Sequence, residues 1–245
     1  DHLFAALQGT QRDYDPDFEK LSYIAEYFRP YPEKWIANGM FDTKEMGVDV
    51  QKDPFSVVGV GDMAGDVFGN GMLQSDKIRL VGAFNHEHIF LDPNPDCATS
   101  FLERKRLFER AGSKWSDYNL DLISAGGGVY SRSLKSIPLS DAVKKCFNID
   151  YDTVSPDELI KHLLKADVDL LFFGGIGTFV KGAAESNADA KDRVNDLLRI
   201  QGAEIKAKVV GEGANLGMTQ LARIDYALKG GRVNMDAVDN SAGVD

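Results

Sequence analysis

The sequence predicts an α/β fold built on a doubly wound, mostly parallel sheet. Three short apolar runs, at 55–58, 168–173 and 207–210, are typical of strands that are buried on both faces. Each run ends in a glycine-rich turn, and a predicted helix follows each turn. Ligands of open parallel α/β sheets bind outside the carboxyl ends of the strands. Three glycine-rich ends that converge there predict a groove for a long, flat ligand.

The first turn has the spacing G-x-G-x-x-A, formed by Gly59, Gly61 and Ala64. In a dinucleotide site the first glycine permits a tight turn, the second lets the backbone approach a pyrophosphate, and the small third residue lets helix pack on strand. A helix predicted over 63–73 would add unpaired N–H groups and a partial positive charge. The same pattern occurs in methyltransferases and in plain tight turns. Asp62 adds negative charge here, which costs complementarity unless it caps backbone or points to solvent.

A second buried strand is predicted over 78–84, at a distance from the first turn that suits a strand–helix–strand unit. Dinucleotide folds usually place an acid at this strand end, where it binds the adenosine ribose. Asn85 stands there instead, and the nearest downstream acids are Glu87 and Asp92. An amide can still hydrogen-bond a ribose. Because the two acids disfavour a 2′-phosphate, we expect a modest preference for NAD over NADP.

The remaining elements follow from periodicity, capping residues and turn residues. Residues 1–46 are predicted to be a helical segment of uncertain role, followed by a single domain over 47–245. The helix over 99–110 is predicted to be amphipathic, with Phe101, Leu102, Leu107 and Phe108 facing inward. Its four basic residues, Arg104, Lys105, Arg106 and Arg110, are predicted to lie on a solvated face. Further helices are predicted over 17–28, 140–147, 155–165, 188–200 and 217–228, short strands over 120–124 and 232–235, and an irregular surface crossing over 129–140.

Composition excludes several classes of function. The 245 residues carry a formal net charge of −10, which opposes non-specific binding to nucleic acid. No apolar run approaches the roughly 18 residues of a membrane span, and no secretory signal is visible, so the cytoplasm is the expected location. Cys97 and Cys146 are expected to be reduced, partly buried thiols. His86 and His88 could share an ion on a strand, but no third ligand has convincing spacing, and we expect no metal.

The chain contains, in order, VVGVGDMAGDVFGNGML, HIFLDPNPD, SFLERKRLFER, LISAGGGVYSRSLKSIPLS, LLFFGGIGTFVK, VVGEGANLGMTQLARIDYAL and DNSAGVD. In combination these stretches resemble the cofactor-binding part of the large, multidomain bacterial NAD-specific glutamate dehydrogenases, over about residues 46–245. The resemblance implies that a hydride passes from the α-carbon of L-glutamate to nicotinamide, and that the imine is hydrolysed to 2-oxoglutarate and ammonium. It implies NAD as cofactor. The cofactor-binding residues that it indicates are Gly59, Gly61, Asp62, Met63 and Ala64 at the pyrophosphate turn, Asn85 at the adenosine ribose, Gly174, Gly175 and Ile176 in the central cleft, and Asn215 near the nicotinamide ribose or amide.

The resemblance also implies that the substrate-binding half of the enzyme, with its glycine-flanked catalytic lysines, lies outside this chain. Lys181 comes nearest to such a setting and is interpreted as peripheral, so no catalytic residue is assigned. We therefore expect the chain to bind NAD(H) without oxidising glutamate, which the missing half would bind. Two other functions are possible alternatives for the chain: a non-catalytic NAD-sensing module and a methyltransferase. The full-length protein could also form a homo-oligomer. A valine at Gly61 is expected to abolish NADH binding and to leave the fold largely intact.

Overall fold

A computed structural model describes residues 47–239, except for the side chains of residues 237 and 238. The predicted N-terminal segment 1–46, with its helix over 17–28, lies outside the described residues. So does the end of the chain, 240–245.

The central sheet of the described region has seven strands, and five of them run parallel. The last two strands on one side, β3 (His88–Leu91) and the edge strand β4 (Gly128–Ser131), are each antiparallel to the strand before them in the sheet. The other five are β1 (Phe55–Val60), β2 (Ile78–Phe84), β7 (Leu170–Phe173), β10 (Val209–Glu212) and β11 (Arg232–Val233). The order across the sheet is β11-β10-β7-β1-β2-β3-β4. Two further two-stranded sheets pair β5 (Ile137–Pro138) with β6 (Thr153–Val154), and β8 (Val180–Lys181) with β9 (Ile200–Gln201).

Helices cover both faces of the sheet, which confirms the predicted α/β, doubly wound fold. The helices are α1 (Asp66–Met72), α2 (Cys97–Glu109), α3 (Asp141–Phe147), α4 (Pro156–Leu164), α5 (Gln220–Leu228) and α6 (Asp236–Asp239). One face packs against α1 and α2 through a cluster that includes Phe68 and Leu107. The other face packs against α3, α4 and α5 through a cluster that includes Val143, Leu163 and Tyr226.

Helix starts follow the local chemistry of the chain. Ser155 begins α4 with a reciprocal capping box, in which it accepts from Glu158 N–H while the Glu158 carboxylate accepts from Ser155 N–H. Pro156 occupies the first helical position, where a missing N–H costs nothing. Ser140 and Asp96 cap α3 and α2 without a reciprocal bond: the Ser140 side chain accepts from Val143 N–H and the Asp96 side chain accepts from Thr99 N–H. The pattern therefore predicted these three helices correctly.

Three predicted elements were wrong. Residues Leu120–Leu122 form a short 3-10 turn instead of a strand, and 129–140 contains β4 and β5. The helix predicted over 188–200 is replaced by two 3-10 turns and β9. The Asp192 side chain explains this break, because it accepts from the distant Thr178 N–H and so ties this segment to the loop after β7. Asp189 forms a capping box with Ser186 that begins only the first 3-10 turn.

The inward face of α2 also differs from the prediction. Leu102 was expected inside and is 66% exposed, whereas Arg104 was expected in solvent and is fully buried. Burial lowers the pKa of the Arg104 guanidinium to about 10. Glu103 is buried beside it and accepts two hydrogen bonds from Arg106, at 2.7 and 2.6 Å. The buried face of α2, as predicted from helical spacing alone, therefore lies about one residue away from the observed buried face.

Candidate functional site

The site lies where the winding of the sheet reverses. β2 flanks β1 on one side and β7 flanks it on the other, so the chain leaves β1 and β7 in opposite directions. Such a switch point opens a crevice at the carboxyl ends of the strands. Backbone hydrogen bonds connect the strand ends at the base of this crevice. Gly174 N–H donates to Val60 O at 2.7 Å, and Gly61 N–H donates to Phe84 O at 2.9 Å.

The glycines of the first turn make room for one aromatic side chain, Phe68 of α1. A Cβ added at Gly59 would lie 2.5 Å from Phe68 Cζ, one at Gly61 would lie 2.7 Å from Phe68 Cβ, and one at Gly174 would lie 2.5 Å from Phe68 Cβ. Phe68 is fully buried and packs edge-on against Trp115, with ring centroids 6.0 Å apart. The close approach of helix to sheet is therefore the structural task of all three glycines.

Gly61 is constrained twice over. Its φ of +150° suits glycine, and its carbonyl accepts a hydrogen bond of 2.9 Å from Trp115 Nε1. A valine there would overlap Cβ and Cγ of Phe68. The expectation that this substitution leaves the fold largely intact is wrong, because the side chain would enter the core rather than only the space of a phosphate.

The turn after Gly61 is longer than predicted. Helix α1 begins at Asp66 instead of Met63, and Gly65 N–H closes the turn on Asp62 O at 2.8 Å. Met63 is 1% exposed and belongs to the core, whereas Ala64 is partly exposed. In this turn a ligand could therefore meet Ala64 and the backbone, but not the Met63 side chain.

The turn after β1 carries a carboxylate group, that of Asp62. Asn85 Nδ2 donates to Asp62 Oδ2 at 2.8 Å, and Asn85 Oδ1 accepts from the N–H groups of Glu87 and His88 at 2.8 and 2.7 Å. Asn85 is 1% exposed, so its predicted contact with a ribose has no support in this geometry. Its amide instead positions Asp62 and the start of β3. The second oxygen of Asp62, Oδ1, is buried without a hydrogen-bond partner.

The loop after β7 is open toward the crevice. Gly175 has a φ of +127°, and a Cβ there would meet only Ala214 Cβ, at 3.9 Å. Ile176 follows with a φ of +65° and is 40% exposed. The space around Gly175 would let a ligand approach its backbone. The cofactor contacts predicted at Gly174, Gly175 and Ile176 stay a prediction.

The loop after β10 carries Asn215, which is exposed, and rests on a buried ionic network. Arg223 donates to both oxygens of Glu212, at 2.6 and 3.0 Å, and neither side chain exceeds 7% exposure. Burial raises the pKa of Glu212, and the Arg223 guanidinium offsets part of that rise. Asp236 contacts Arg223 at 3.1 Å and accepts from Leu216 N–H at 3.0 Å. The network thus anchors the loop to α5 and α6.

The two open loops contact each other. Thr178 Oγ1 donates to Leu216 O at 2.6 Å, and Phe179 N–H donates to Gly217 O at 2.9 Å. The structure therefore brings the sequence-predicted residues to one edge of the sheet, although Gly59, Gly61, Met63 and Asn85 are buried there. Sequence reasoning missed Thr178 and Asp236, because neither lies in a pattern that predicts a long-range hydrogen bond.

Comparison with known proteins places the chain in a family. A sequence model described as "Bacterial NAD-glutamate dehydrogenase, catalytic domain" matches residues 35–245. The chain belongs to this glutamate dehydrogenase family. The NAD-specific glutamate dehydrogenase of Pseudomonas aeruginosa is 60% identical over 202 residues, which are 82% of this chain and 12% of that protein. The Mycobacterium tuberculosis enzyme is 56% identical over 208 residues, 82% of this chain and 13% of that protein. The chain thus spans about an eighth of the length of these relatives.

Comparison with solved structures finds partial similarity to two glutamate dehydrogenases. The Plasmodium falciparum enzyme superposes with a TM-score of 0.49 at 15% identity, over 87% of this chain and 36% of that chain. The hetero-hexameric enzyme from Thermus thermophilus, in its leucine-bound form, gives a TM-score of 0.44 at 14% identity, with the same coverage.

Lys181, the lysine considered in the sequence, donates from its Nζ to the backbone carbonyl of Glu185. Across 47–239, His, Cys, Asp and Glu form no group of three or more that could hold a metal ion. His86 and His88 flank Glu87, with nitrogen–oxygen distances of 3.5 and 3.9 Å. In the same residues, no helix has both the length and the apolar character to cross a membrane.

Proposed function

We propose that residues 47–245 are the NAD(H)-binding domain of a bacterial glutamate dehydrogenase. The full-length enzyme would convert L-glutamate, NAD and water to 2-oxoglutarate, ammonium and NADH. The observation that carries the proposal is the β1/β7 switch point, at which the glycine-rich loops after β1, β7 and β10 lie at one edge. Family membership supports the reaction, and the names of the relatives support NAD as the cofactor.

The residues at this edge fit a dinucleotide. A flat or extended ligand can approach the open backbone at Gly175. The buried Oδ1 of Asp62 has no hydrogen-bond partner and lies near Asn85 at the end of β2, where the adenosine ribose would be held. Asn215 would reach the nicotinamide end, from a loop that the Glu212–Arg223 pair holds in place. When bound, the nicotinamide accepts the hydride of glutamate. The protein groups bind and orient the cofactor.

The matched family region is described as a catalytic domain, and our assignment to the cofactor half is finer than that description. Two observations support it: the crevice is built like a dinucleotide site, and Lys181 is bound to a backbone carbonyl. The substrate groups would then come from parts of the enzyme outside this chain. A cytoplasmic location and a homo-oligomeric full-length enzyme stay predictions.

Titration with NADH, followed by its fluorescence, tests the proposal. The 245-residue chain should bind NADH saturably, bind NADPH more weakly, and show no competition from S-adenosylmethionine. It should produce no NADH from glutamate and NAD. Failure to bind NADH would refute the cofactor assignment, and glutamate-dependent NADH production would refute the assignment of catalysis to the missing half.

A pair of glycine variants locates the site. Gly175→Ala and Gly112→Ala both place a side chain at a positive φ, +127° and +72°, and neither new Cβ would meet a close neighbour. Each should therefore cost about 1–2 kcal/mol of stability through backbone strain. Because only Gly175 lies at the crevice, only its variant should weaken NADH binding. Equal NADH affinity in the two variants would place the cofactor elsewhere.

A further inference from the structure

Two apolar residues at the crevice are held in a backbone conformation that they disfavour. Ile176 has a φ of +65° and Leu216 a φ of +64°, both in the left-handed region. That region is unfavourable for residues other than glycine, and above all for a β-branched residue such as isoleucine. Two other non-glycine residues of the described chain share it, but Asn148 and Lys191 are polar residues that end helical segments, where this conformation is common.

The surrounding structure enforces both conformations. Asn195 Nδ2 donates to Ile176 O at 3.3 Å. Leu216 is fixed at both of its peptide groups, since its N–H donates to Asp236 and its carbonyl accepts from Thr178 Oγ1. Strain that is over-determined in this way is concentrated at functional sites.

Packing in the core does not explain why Ile176 and Leu216 are held in this strained conformation. Ile176 is 40% exposed and Leu216 is 62% exposed, so the strain is not offset by burial within this chain. Their loops follow β7 and β10 and are hydrogen-bonded to each other. Two neighbouring loops therefore each present an exposed apolar side chain at the same edge of the sheet.

The topology indicates which part of a dinucleotide would lie there. A dinucleotide crosses the switch point with its pyrophosphate at the first glycine turn and its adenosine ribose at the end of β2. The nicotinamide half then lies on the other side, over β7 and β10. We propose that Ile176 and Leu216 are the apolar contacts for the face of the nicotinamide ring. This inference rests on the proposed function and extends it to two named side chains, of which Leu216 is a new site residue.

The test compares NADH with ADP-ribose, which has both riboses and the pyrophosphate but no nicotinamide. In the 245-residue chain, Ile176→Asn and Leu216→Asn remove the apolar side chains, and asparagine tolerates the left-handed conformation. Each should raise the dissociation constant of NADH about tenfold and leave that of ADP-ribose within about twofold. The thermal midpoint should not fall, because strain is relieved. Leu228→Asn is the matched control: Leu228 is 81% exposed and lies at the end of α5, and its variant should leave both affinities unchanged.

The outcomes separate this inference from the proposed function. Selective loss of NADH affinity with an unchanged or raised thermal midpoint would support the nicotinamide contacts. Unchanged NADH affinity, equal weakening of NADH and ADP-ribose, or a lowered midpoint in both variants would overturn them. If the unsubstituted chain binds neither ligand, the proposed function itself fails.

Discussion

The packing of Phe68 against the glycines of the first turn predicts a large cost for Gly59→Ala. The new Cβ would lie 2.5 Å from Phe68 Cζ and closer still to Cε2. The ring cannot retreat, because it is fully buried between Trp115 and Phe172, at centroid distances of 6.0 and 6.2 Å. Overpacking of a rigid core costs about 1–3 kcal/mol, and we expect the upper half of that range.

A second substitution should relieve the clash. Phe68→Leu removes the ring atoms that the new methyl group would meet, at its own cost of about 2 kcal/mol from lost burial and a residual cavity. In the double variant the Gly59→Ala methyl group fills part of that cavity. The loss of unfolding free energy in the double variant should therefore be smaller, by at least about 1 kcal/mol, than the losses of the two single variants added together.

Urea unfolding of the four proteins, read at equal m-values, measures this coupling. Gly65→Ala is the control for adding a methyl group in the same turn: its Cβ would meet only Asp62 O, at 3.1 Å, and φ is −78°. It should cost less than about 1 kcal/mol. Additivity within about 0.5 kcal/mol would refute the view that this glycine exists to accommodate Phe68.

Three further predictions follow from side-chain contacts. Asp62→Asn removes the negative charge that would oppose a 2′-phosphate, and should narrow the ratio of NADH to NADPH affinity about tenfold in parallel titrations; an unchanged ratio would contradict this role. Burial raises the pKa of Asp169, but hydrogen bonds from Lys208 and Ser56 outweigh it and leave the pKa below its usual 3.8. The ionised Asp169 therefore stabilises the fold above about pH 3.8, and this stabilisation is lost as the pH falls through the pKa of Asp169 in the folded protein. In urea titrations, Asp169→Asn should cost about 1–3 kcal/mol of unfolding free energy at pH 7 and progressively less below pH 4. Arg223→Met leaves a buried carboxylate unpaired and should cost about 3–5 kcal/mol of unfolding free energy, whereas a surface-like cost below about 1 kcal/mol would show that the pair is not buried in solution.

Much of the fold was predictable because its signals are local. The apolar runs of β1, β7 and β10 and the glycines that follow them are adjacent in sequence, and so is the capping box of α4. The crevice could be placed from these signals, since parallel strands bring their carboxyl ends to one edge. The 3-10 turns over 187–195 were not predictable in this way, because aspartate bonds to distant backbone interrupt a helical pattern.

The amino-acid sequence alone determined that this protein has a parallel α/β sheet with glycine-rich strand ends, and its motifs indicated the glutamate dehydrogenase family. Only the tertiary structure decided what the glycines are for: Phe68 fills the space at Gly59 and Gly61, while Gly175 stays open. It also decided that Asn85 holds Asp62 across two strands. The reason is physical. Periodicity and turn chemistry act between neighbours in the chain, whereas packing and paired polar groups join residues whose meeting depends on the whole fold.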